Sequence, residues 1–416
     1  MTQQTSLGCR SCGATGLAPV LNLGDTPLAN ALLTAEQTTQ PEEKFPLELV
    51  RCPQCTLVQI TETISPEKLF REYFYLSSFS DTMLRHAESL ATELVAGRQL
   101  DADSLVVEVA SNDGYLLQYY HRAGIPVLGI EPAENIARVA RETREVRTIS
   151  EFFGTDLARK LVAMGHRADV IHAHNVLAHV ADVNGFVVGL RELLKDDGVA
   201  VLEVPYVKDM IDNSEFDTIY HEHLCYFSLT ALDNLFRRHA LLIEDVKRLA
   251  LHGGTLRIHA RREDGRPRAA SQGPSRVDRL LKEEAAWVGD YTFYRQFAQK
   301  VEGLREELLA LLKKLKAENR RIAVYGASAK GSTLMNYFGL GSEMLDFVVD
   351  RSTIKQGHFT PGTHLPILAP EKLVEKLPNY VLLLTWNFAD EILEQQAEYR
   401  KRGGRFIIPI PELRVV

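Results

Sequence analysis

The sequence has little cysteine, no excess of positive charge and no long apolar segment. Only five of its 416 residues are cysteine, and its formal net charge is -7. A general nucleic-acid-binding protein usually carries the opposite sign, so an anionic ligand has to be held by local groups. No run of about 18 apolar residues occurs, so we expect no membrane-spanning helix. The first eight residues carry no apolar core of a secretory signal, and we therefore expect a cytoplasmic protein.

The composition and length indicate a globular protein with more than one domain. Hydrophobic residues make up 45% of the chain and charged residues 25%, and 416 residues are too many for one ordinary core. Short apolar runs alternate with helical stretches between 103 and 204, which predicts a doubly wound parallel sheet. Two further runs, 241–249 and 255–261, predict an antiparallel edge that closes this sheet.

Beyond the first sheet, the pattern predicts a linker, a long helix and a second sheet. The segment 263–275 is polar and rich in Arg, Gly and Pro, as expected for a linker. A charged, amphipathic region predicts a helix over 277–319, and another helix is predicted earlier, over 65–97. A smaller parallel sheet follows. Its expected strands lie at 321–326, 345–350, 380–385 and 405–410, with a helix at 329–338.

Four of the five cysteines form two pairs of identical spacing, Cys9-Arg-Ser-Cys12 and Cys52-Pro-Gln-Cys55. Each pair places two thiolates on one tight turn, and two such turns complete a tetrahedral four-sulfur zinc site. Because a zinc ion that is closed by four cysteines has no open position, the predicted role is structural. The alternatives are four unrelated reduced thiols or a redox-active pair.

The first predicted strand of the larger sheet runs into Glu108-Val-Ala-Ser-Asn-Asp-Gly114. A methyltransferase that binds S-adenosylmethionine usually has an acidic residue and a glycine-rich turn here, because small residues let the turn approach the cofactor. Two of the usual glycines are replaced in this chain. The carboxylate that ends the next strand can accept both ribose hydroxyls, and an asparagine ends a later strand. The predicted cofactor-binding residues are Glu108, Ala110, Asn112, Gly114, Glu131 and Asn175.

This turn does not by itself separate methyl transfer from hydride transfer. An NAD-binding Rossmann unit offers a similar turn and a similar carboxylate. A parallel sheet that binds no cofactor is a third interpretation, so the chemistry has to be decided by other residues.

Imidazole, carboxylate and phenol groups are concentrated at 215–228, just beyond a predicted strand of the larger sheet. A loop in this position faces the ligand crevice. Carbon methylation beside a carbonyl needs a base to remove a C–H proton and donors to hold the developing enolate. Histidine suits the first role, and tyrosine or protonated histidine suits the second. The alternatives are histidines that cross-link the loop, or His221 and His223 as ligands of a second metal.

The second sheet begins with Tyr325-Gly-Ala-Ser-Ala-Lys-Gly331, between a predicted strand and a predicted helix. Small residues at a helix N-terminus expose backbone N–H groups that can bind an anion, and Lys330 adds a positive charge. We expect this loop to help hold the nucleotide or phosphates of the substrate. A tight turn with a solvated lysine is the alternative. The spacing is not that of an ATPase phosphate loop.

Taken together, these motifs resemble those of the sugar C-methyltransferases that build branched deoxysugars of the tetronitrose and mycarose types. The resemblance covers nearly the whole chain. The cysteine pairs and the Glu108–Gly114 turn carry part of this resemblance. Further segments that carry it are Asn-Val-Leu-Ala-His-Val180, Tyr-His-Glu-His-Leu-Cys-Tyr-Phe-Ser228, His-Gly-Gly-Thr-Leu-Arg257, Tyr-Gly-Ala-Ser-Ala-Lys-Gly-Ser-Thr-Leu-Met-Asn336, Lys-Gln-Gly357 and Pro-Gly-Thr-His364.

The resemblance implies a zinc-binding domain at 1–70, a methyltransferase domain at 71–263 that binds S-adenosylmethionine, and a Rossmann-like substrate domain at 276–416. It implies that His223 is the catalytic base, with Tyr220, Glu222 and His179 assisting. We also expect a second set of residues to contact the substrate. These are Tyr75, His221 and Lys330.

The implied substrate is a dTDP-linked 4-keto-6-deoxysugar, and we expect methylation of its third ring carbon, with the fifth as the other choice. Such an enzyme would act in deoxysugar and antibiotic biosynthesis, as a monomer, on a small molecule and without nucleic acid or membrane partners. The alternatives are an NAD(P)-dependent sugar-nucleotide oxidoreductase or epimerase, and a zinc-scaffold binding protein without catalysis.

Overall fold

The computed structural model describes residues 8–70, 76–251, 253–265 and 274–416, and the statements below concern those residues. The strands are β1 (Ala18–Thr26), β2 (Phe45–Arg51), β3 (Val58–Ile60), β4 (Val106–Val109), β5 (Val127–Ile130), β6 (Thr148–Ile149), β7 (Ala168–His174), β8 (Leu194–Pro205), β9 (Cys225–Tyr226), β10 (Leu241–Leu249), β11 (Thr255–Arg262), β12 (Ile322–Tyr325), β13 (Val348–Val349), β14 (Ile367–Leu368), β15 (Tyr380–Leu383), β16 (Arg405–Ile408) and β17 (Arg414–Val415).

The helices lie between these strands. They are α1 (Pro66–Phe70), α2 (Asp81–Arg98), α3 (Leu117–Arg122), α4 (Glu134–Arg144), α5 (Thr155–Ala163), α6 (Val183–Leu193), α7 (Val207–Asp212), α8 (Leu229–Arg238), α9 (Arg276–Glu284), α10 (Tyr291–Ala317), α11 (Ala329–Phe338), α12 (Lys372–Lys376), α13 (Ala389–Gln395) and α14 (Ala397–Lys401). Within the described ranges, none of these helices combines the length and apolarity that crossing a bilayer requires.

The N-terminal sheet is antiparallel and has the strand order β1-β2-β3-β9. Its fourth strand comes from far along the chain, directly after the histidine-rich segment. Val58 pairs with Tyr226 and Gln59 with Cys225, and the Ile60 N–H donates to the Leu224 carbonyl at 3.0 Å. A strand of two residues is too short for a recognisable period, so the sequence did not predict it. The cysteine module is therefore joined directly to the histidine-rich loop.

The central sheet has seven strands in the order β10-β11-β8-β7-β4-β5-β6. The strands from β8 to β6 run parallel, while β11 and β10 add an antiparallel edge, as the sequence predicted. Every residue of β4 is buried, because helices cover both faces of a parallel sheet. Since β4 lies between β5 and β7, the order reverses there, and ligands of such sheets bind at the carboxyl ends beside that point.

The C-terminal sheet has six strands in the order β14-β13-β12-β15-β16-β17. All are parallel except β17, which pairs antiparallel with β16. Helix α11 begins immediately beyond β12, where Ser328 caps it by accepting a hydrogen bond from the Gly331 N–H at 3.1 Å. The predicted second, smaller parallel sheet is therefore present, with one antiparallel strand added at its edge.

Two predicted helices are divided in the structure. The segment predicted over 65–97 contains α1 and α2, because Ser80 accepts from the Met83 N–H and starts α2 there. The segment predicted over 277–319 contains α9 and α10, because Asp290 caps a new start by accepting from the Thr292 N–H at 2.8 Å. Serine and aspartate favour such N-cap positions. Residues 71–75, and 266–273 of the predicted linker, lie outside the described residues.

Candidate active site

The four paired cysteines converge in the N-terminal module. Their sulfur atoms all lie within 4.8 Å of one another, with 3.4 Å between those of Cys9 and Cys55 and 3.5 Å between those of Cys12 and Cys52. Zinc–sulfur bonds of about 2.3 Å in a tetrahedron place the sulfurs about 3.8 Å apart, so the donor set fits zinc. Three of the four cysteines are buried. The geometry is that of a closed structural site.

A cavity of about 680 Å³ opens at the carboxyl ends of the parallel strands. Its wall includes residues from the turns after β4, β5 and β7, from the histidine-rich loop and from the C-terminal domain. The lining residues from these parts include Ala110, Asn112, Glu131, Asn175, His179, Glu215, Thr218, Tyr220, His223, Lys330 and Asn387. The predicted cofactor turn and the predicted base therefore face one shared cavity.

The cofactor turn has a backbone shape that its residues do not favour. Ala110, Asn112 and Asn175 have φ angles of 53°, 49° and 54°, in the left-handed region. This region costs an alanine about 1–2 kcal/mol, and such strain is typical of ligand-binding segments. Gly114 has a φ of 77°, and a Cβ there would lie 3.2 Å from a methyl of Val146. The turn therefore has the conformation of a glycine-rich loop, although two of its glycines are missing.

Glu131 fixes this turn from the next strand. Its two carboxylate oxygens accept hydrogen bonds from the backbone N–H groups of Asn112 and Ala133, both at 2.9 Å. Each oxygen keeps a further lone pair for a ligand hydroxyl. Glu108 differs, because it is buried beneath the turn and does not line the cavity. Burial, with the charges of two neighbouring carboxylates, raises the pKa of Glu108 well above its usual range.

His223 is held as a neutral base beside Tyr220. Its Nδ1 lies 2.8 Å from the Thr218 carbonyl, which can only accept, so Nδ1 carries the proton. Its Nε2 is therefore unprotonated, and the lone pair of Nε2 accepts a hydrogen bond from the Tyr220 hydroxyl at 2.9 Å. Burial lowers the pKa of His223 well below its usual range, and the charges of His179 and Lys330 lower it further. The ring of His179 meets that of His223 edge-on, with centroids 4.8 Å apart, and burial lowers the pKa of His179 to about 4.

The other two residues of the histidine motif point away from the cavity. His221 donates from Nε2 to the Pro46 carbonyl at 3.1 Å, and Glu222 accepts from the Asn30 side chain at 2.6 Å. Neither lines the cavity. The structure therefore does not bring His221 to this cavity, because its side chain and that of Glu222 bind the N-terminal module. Tyr75, the third expected substrate contact, lies outside the described residues.

Lys330 does line the cavity, and its ammonium lies 4.5 Å from the centre of the Trp386 ring. The predicted anion site around it is only partly supported. The Asp350 carboxylate accepts from the Ala327 N–H at 2.8 Å, and the Ser328 hydroxyl accepts from the Gly331 N–H. Two of the backbone groups that were expected to bind a phosphate are thus already engaged, one of them by a negative charge.

Among the titratable residues of the cavity that the sequence analysis gave no role are Glu215 and His174. Burial raises the pKa of Glu215 to about 7, although the charge of Lys330 acts in the opposite direction. Burial lowers the pKa of His174, the last residue of β7, to about 4. Both line the cavity, and perturbed titratable groups in a cleft mark functional candidates. Glu215 begins the histidine-rich segment, which was the available signal.

Three family models match successive parts of the chain. Residues 9–70 match a model described as a zinc binding domain, residues 83–243 a methyltransferase domain, and residues 250–411 the C-methyltransferase C-terminal domain. The C-methyltransferase NovU of Streptomyces niveus is 36% identical to the chain over 410 residues, which cover 98% of the chain and 96% of NovU. The chain belongs to the C-methyltransferase family.

Membership of the C-methyltransferase family confirms several predictions. The chain is an S-adenosylmethionine-dependent C-methyltransferase with a zinc-binding N-terminal domain. The predicted fold class is also confirmed: an α/β protein with a four-cysteine module, a methyltransferase sheet and an additional C-terminal sheet. The oxidoreductase and the non-catalytic scaffold, which were kept as alternatives, are replaced by this assignment.

Other similarities cover smaller parts of this C-methyltransferase. The ubiquinone biosynthesis O-methyltransferase of Bartonella quintana is 30% identical over 94 residues, 23% of the chain and 38% of that protein. The magnesium protoporphyrin IX methyltransferase of Synechocystis, solved with bound SAM, aligns with a TM-score of 0.33 and 16% identity over 43% of the chain and 79% of its own. The CcbJ methyltransferase of Streptomyces caelestis aligns with a TM-score of 0.34 and 14% identity over 42% of the chain and 89% of its own.

Proposed function

We propose that this C-methyltransferase acts on the carbon next to the ketone of a dTDP-linked 4-keto-6-deoxysugar, at the third ring carbon. The observation that carries the proposal is the shared cavity: the cofactor turn and the basic Nε2 of His223 line one space of about 680 Å³. Pockets of this size hold small organic ligands. The cavity wall also includes Lys330 from the C-terminal domain, as expected for a substrate held between two domains.

The proposed reaction begins with proton removal by His223. Because Nδ1–H is bonded to Thr218, the arriving proton goes to Nε2, and the Tyr220 hydroxyl has to turn from Nε2 toward the substrate. Turned this way, it can donate to the developing enolate oxygen. S-adenosylmethionine supplies the electrophilic methyl group. The lowered pKa keeps His223 unprotonated at neutral pH but makes it a weak base, so the site has to stabilise the enolate strongly.

The remaining predicted catalytic residues fit supporting roles. His179 packs its ring edge-on against that of His223 and so fixes the plane of the base. Glu222 acts at a distance from the cavity, through its hydrogen bond to Asn30, which holds the loop on the N-terminal module. We retain Tyr75 and Lys330 as proposed substrate contacts, and His221 as a residue that positions the loop.

The proposed cofactor site lies around the strained turn. Glu131 has one remaining acceptor site on each oxygen for the two ribose hydroxyls. Ala110, Asn112 and Asn175 line the cavity beside it. Gly114 allows the turn to form, and Glu108 supports it from below. We keep the domain limits 1–70, 71–263 and 276–416, because β11 pairs with β8 and so belongs to the central sheet.

We further propose a cytoplasmic enzyme of deoxysugar and antibiotic biosynthesis that acts as a monomer. The decisive experiment incubates the zinc-loaded enzyme with S-adenosylmethionine carrying a ¹³C-methyl group and a panel of dTDP-4-keto-6-deoxysugars, with the product mapped by NMR. A new ¹³C-methyl carbon on the third ring carbon supports the proposal. Label on the fifth ring carbon would correct the position. Label on oxygen or nitrogen, or none on any keto sugar, would overturn the substrate assignment.

A further inference from the structure

The ammonium of Lys330 is buried in the cavity wall without a hydrogen-bonded partner among the described residues. None of the described carboxylates lies within ion-pair distance of its Nζ, although its positive charge lowers the pKa of the nearby Glu215 and Asp217. The contact that shields it is the Trp386 ring, at 4.5 Å. A buried ammonium without a bonded partner is costly, and a cation–π contact returns about 2 kcal/mol when it is desolvated. Such a group is expected where an incoming ligand supplies the missing acceptor.

The fold does not require this charge. Lys330 is the second residue of α11, where the positive end of the helix dipole opposes a cation by about 0.3–1 kcal/mol. Ser328 already caps the helix, so the ammonium adds nothing to helix formation. The turn is also a poor binding site for the expected phosphate of the substrate, because the Asp350 carboxylate already accepts the hydrogen bond from the Ala327 N–H.

One short turn, Phe216–Thr218, contacts both the surroundings of Lys330 and the predicted base. The Phe216 ring stacks on Phe338 of α11, with centroids 5.3 Å apart. Asp217 accepts from the indole N–H of Trp386 at 2.7 Å and so fixes the ring under Lys330. Thr218 accepts from His223 at 2.8 Å. The same turn thus contacts both the ring that packs on Lys330 and the base, and Lys330 and His223 line the same cavity.

We infer that Lys330 is a catalytic residue, whose ammonium donates a hydrogen bond to the ketone oxygen of the substrate. The inference rests on the proposed function. As the α C–H bond breaks, the proton passes to Nε2 of His223 and the electron pair moves onto the oxygen as an enolate, paired with Lys330. The pair then forms the new C–CH₃ bond while the S–CH₃ bond breaks, so the ketone returns and S-adenosylhomocysteine leaves. His223 finally releases its proton to solvent.

The test measures two reactions of dTDP-4-keto-6-deoxyglucose, which is used as the probe. The first is exchange of its α-protons in D₂O with S-adenosylhomocysteine present, and the second is methyl transfer from labelled S-adenosylmethionine. Loss of one oxyanion donor typically lowers kcat by about 10²–10³. We expect Lys330→Met to lower both rates by this factor, with KM changed less than about threefold. The matched control is Lys355→Met, because Lys355 donates to the Ala327 carbonyl of the same turn at 2.8 Å but does not line the cavity. It should stay within about threefold.

Each of the other outcomes contradicts the proposed role of Lys330 or the proposed function. A KM raised tenfold or more at unchanged kcat would assign Lys330 to the phosphates, and unchanged kinetics would make it a solvated lysine. Trapping of substrate on Lys330 by borohydride would replace the ion pair with covalent catalysis. If Lys330→Met does not fold, as judged by lost S-adenosylmethionine binding, Lys330→Ala with added methylammonium replaces it. Concentration-dependent rescue is expected, and its absence overturns the inference. A wild-type enzyme that neither exchanges nor methylates any keto sugar contradicts the proposed function itself.

Discussion

Removal of zinc should stop methyl transfer while leaving the cofactor bound. The basis is the connection between the cysteine module and the histidine-rich loop: β9 follows His223 almost directly and pairs with β3 of the module. Two side chains of the loop also bind the module, through His221 to Pro46 and Glu222 to Asn30. The module therefore holds the loop from both sides of the base.

The size of the effect follows from these contacts. Structural zinc sites supply about 10–16 kcal/mol of folding free energy in zinc-finger peptides, so a module without zinc is expected to unfold. The loop then loses its strand partner and both side-chain bonds. A misplacement of about 1 Å in an active site costs about 10² in rate, and we expect kcat to fall at least that much. The hydrogen bonds of Glu131 lie in the central domain, so the S-adenosylmethionine Kd should change less than about threefold.

The assay compares Cys12→Ser, or chelated wild-type enzyme, with untreated enzyme. Zinc is measured by metal analysis, cofactor affinity by calorimetry and turnover with labelled methyl donor. Restoration of kcat by added zinc is the control for irreversible damage in the chelated sample. The coupling is wrong if zinc-free enzyme keeps its kcat. It is also wrong if cofactor affinity disappears together with turnover, since that result indicates general unfolding.

Three further changes test the site. His223→Gln should lower kcat by about 10²–10⁴ without weakening cofactor binding. Since burial lowers the pKa of His223 well below its usual range, the kcat of the wild-type enzyme should fall with acid only well below pH 6.5. A fall that is centred at pH 6.5 or above contradicts the buried base. Glu131→Ala removes the acceptor of two backbone N–H groups and should raise the S-adenosylmethionine Kd at least about tenfold in a titration, whereas an unchanged Kd would place the ribose elsewhere. Burial raises the pKa of Glu215 to about 7, while the charge of Lys330 lowers it and those of Asp217 and Asp209 raise it. Because its charge appears above that pH and opposes the field of Lys330, α-proton exchange should slow as the pH rises through 7, and a profile that Glu215→Gln leaves unchanged would count against this role.

The sequence predicted the sheets well because their strands are buried and periodic. The run that became β4 is apolar and bounded by turn residues, and the structure buries all of it. The helix starts at Ser80 and Asp290 were missed because the surrounding apolar spacing continues across them, while the interruption depends on one side-chain hydrogen bond each. Capping residues are local signals that periodicity outweighs in a long window.

The site was predicted in composition and only partly in orientation. Tyr220 and His223 could be assigned together from the motif, and the structure brings them to one cavity. The opposite orientation of His221 and Glu222 could not be predicted, because it depends on Pro46 and Asn30, which are far away in sequence. The role of Asp350 beside the Ala327 N–H depends in the same way on the second sheet, since the aspartate follows a different strand.

The late position of β9 has a consequence for biosynthesis. During translation the two cysteine pairs emerge before β9 and can capture zinc, but β3 remains an unpaired sheet edge until Cys225 and Tyr226 leave the ribosome. All three residues of β3 are buried in the finished protein, so a nascent chain exposes an apolar edge of the kind that pairs with other chains. We therefore expect the growing polypeptide to be prone to aggregation until the histidine-rich loop and β9 have been made.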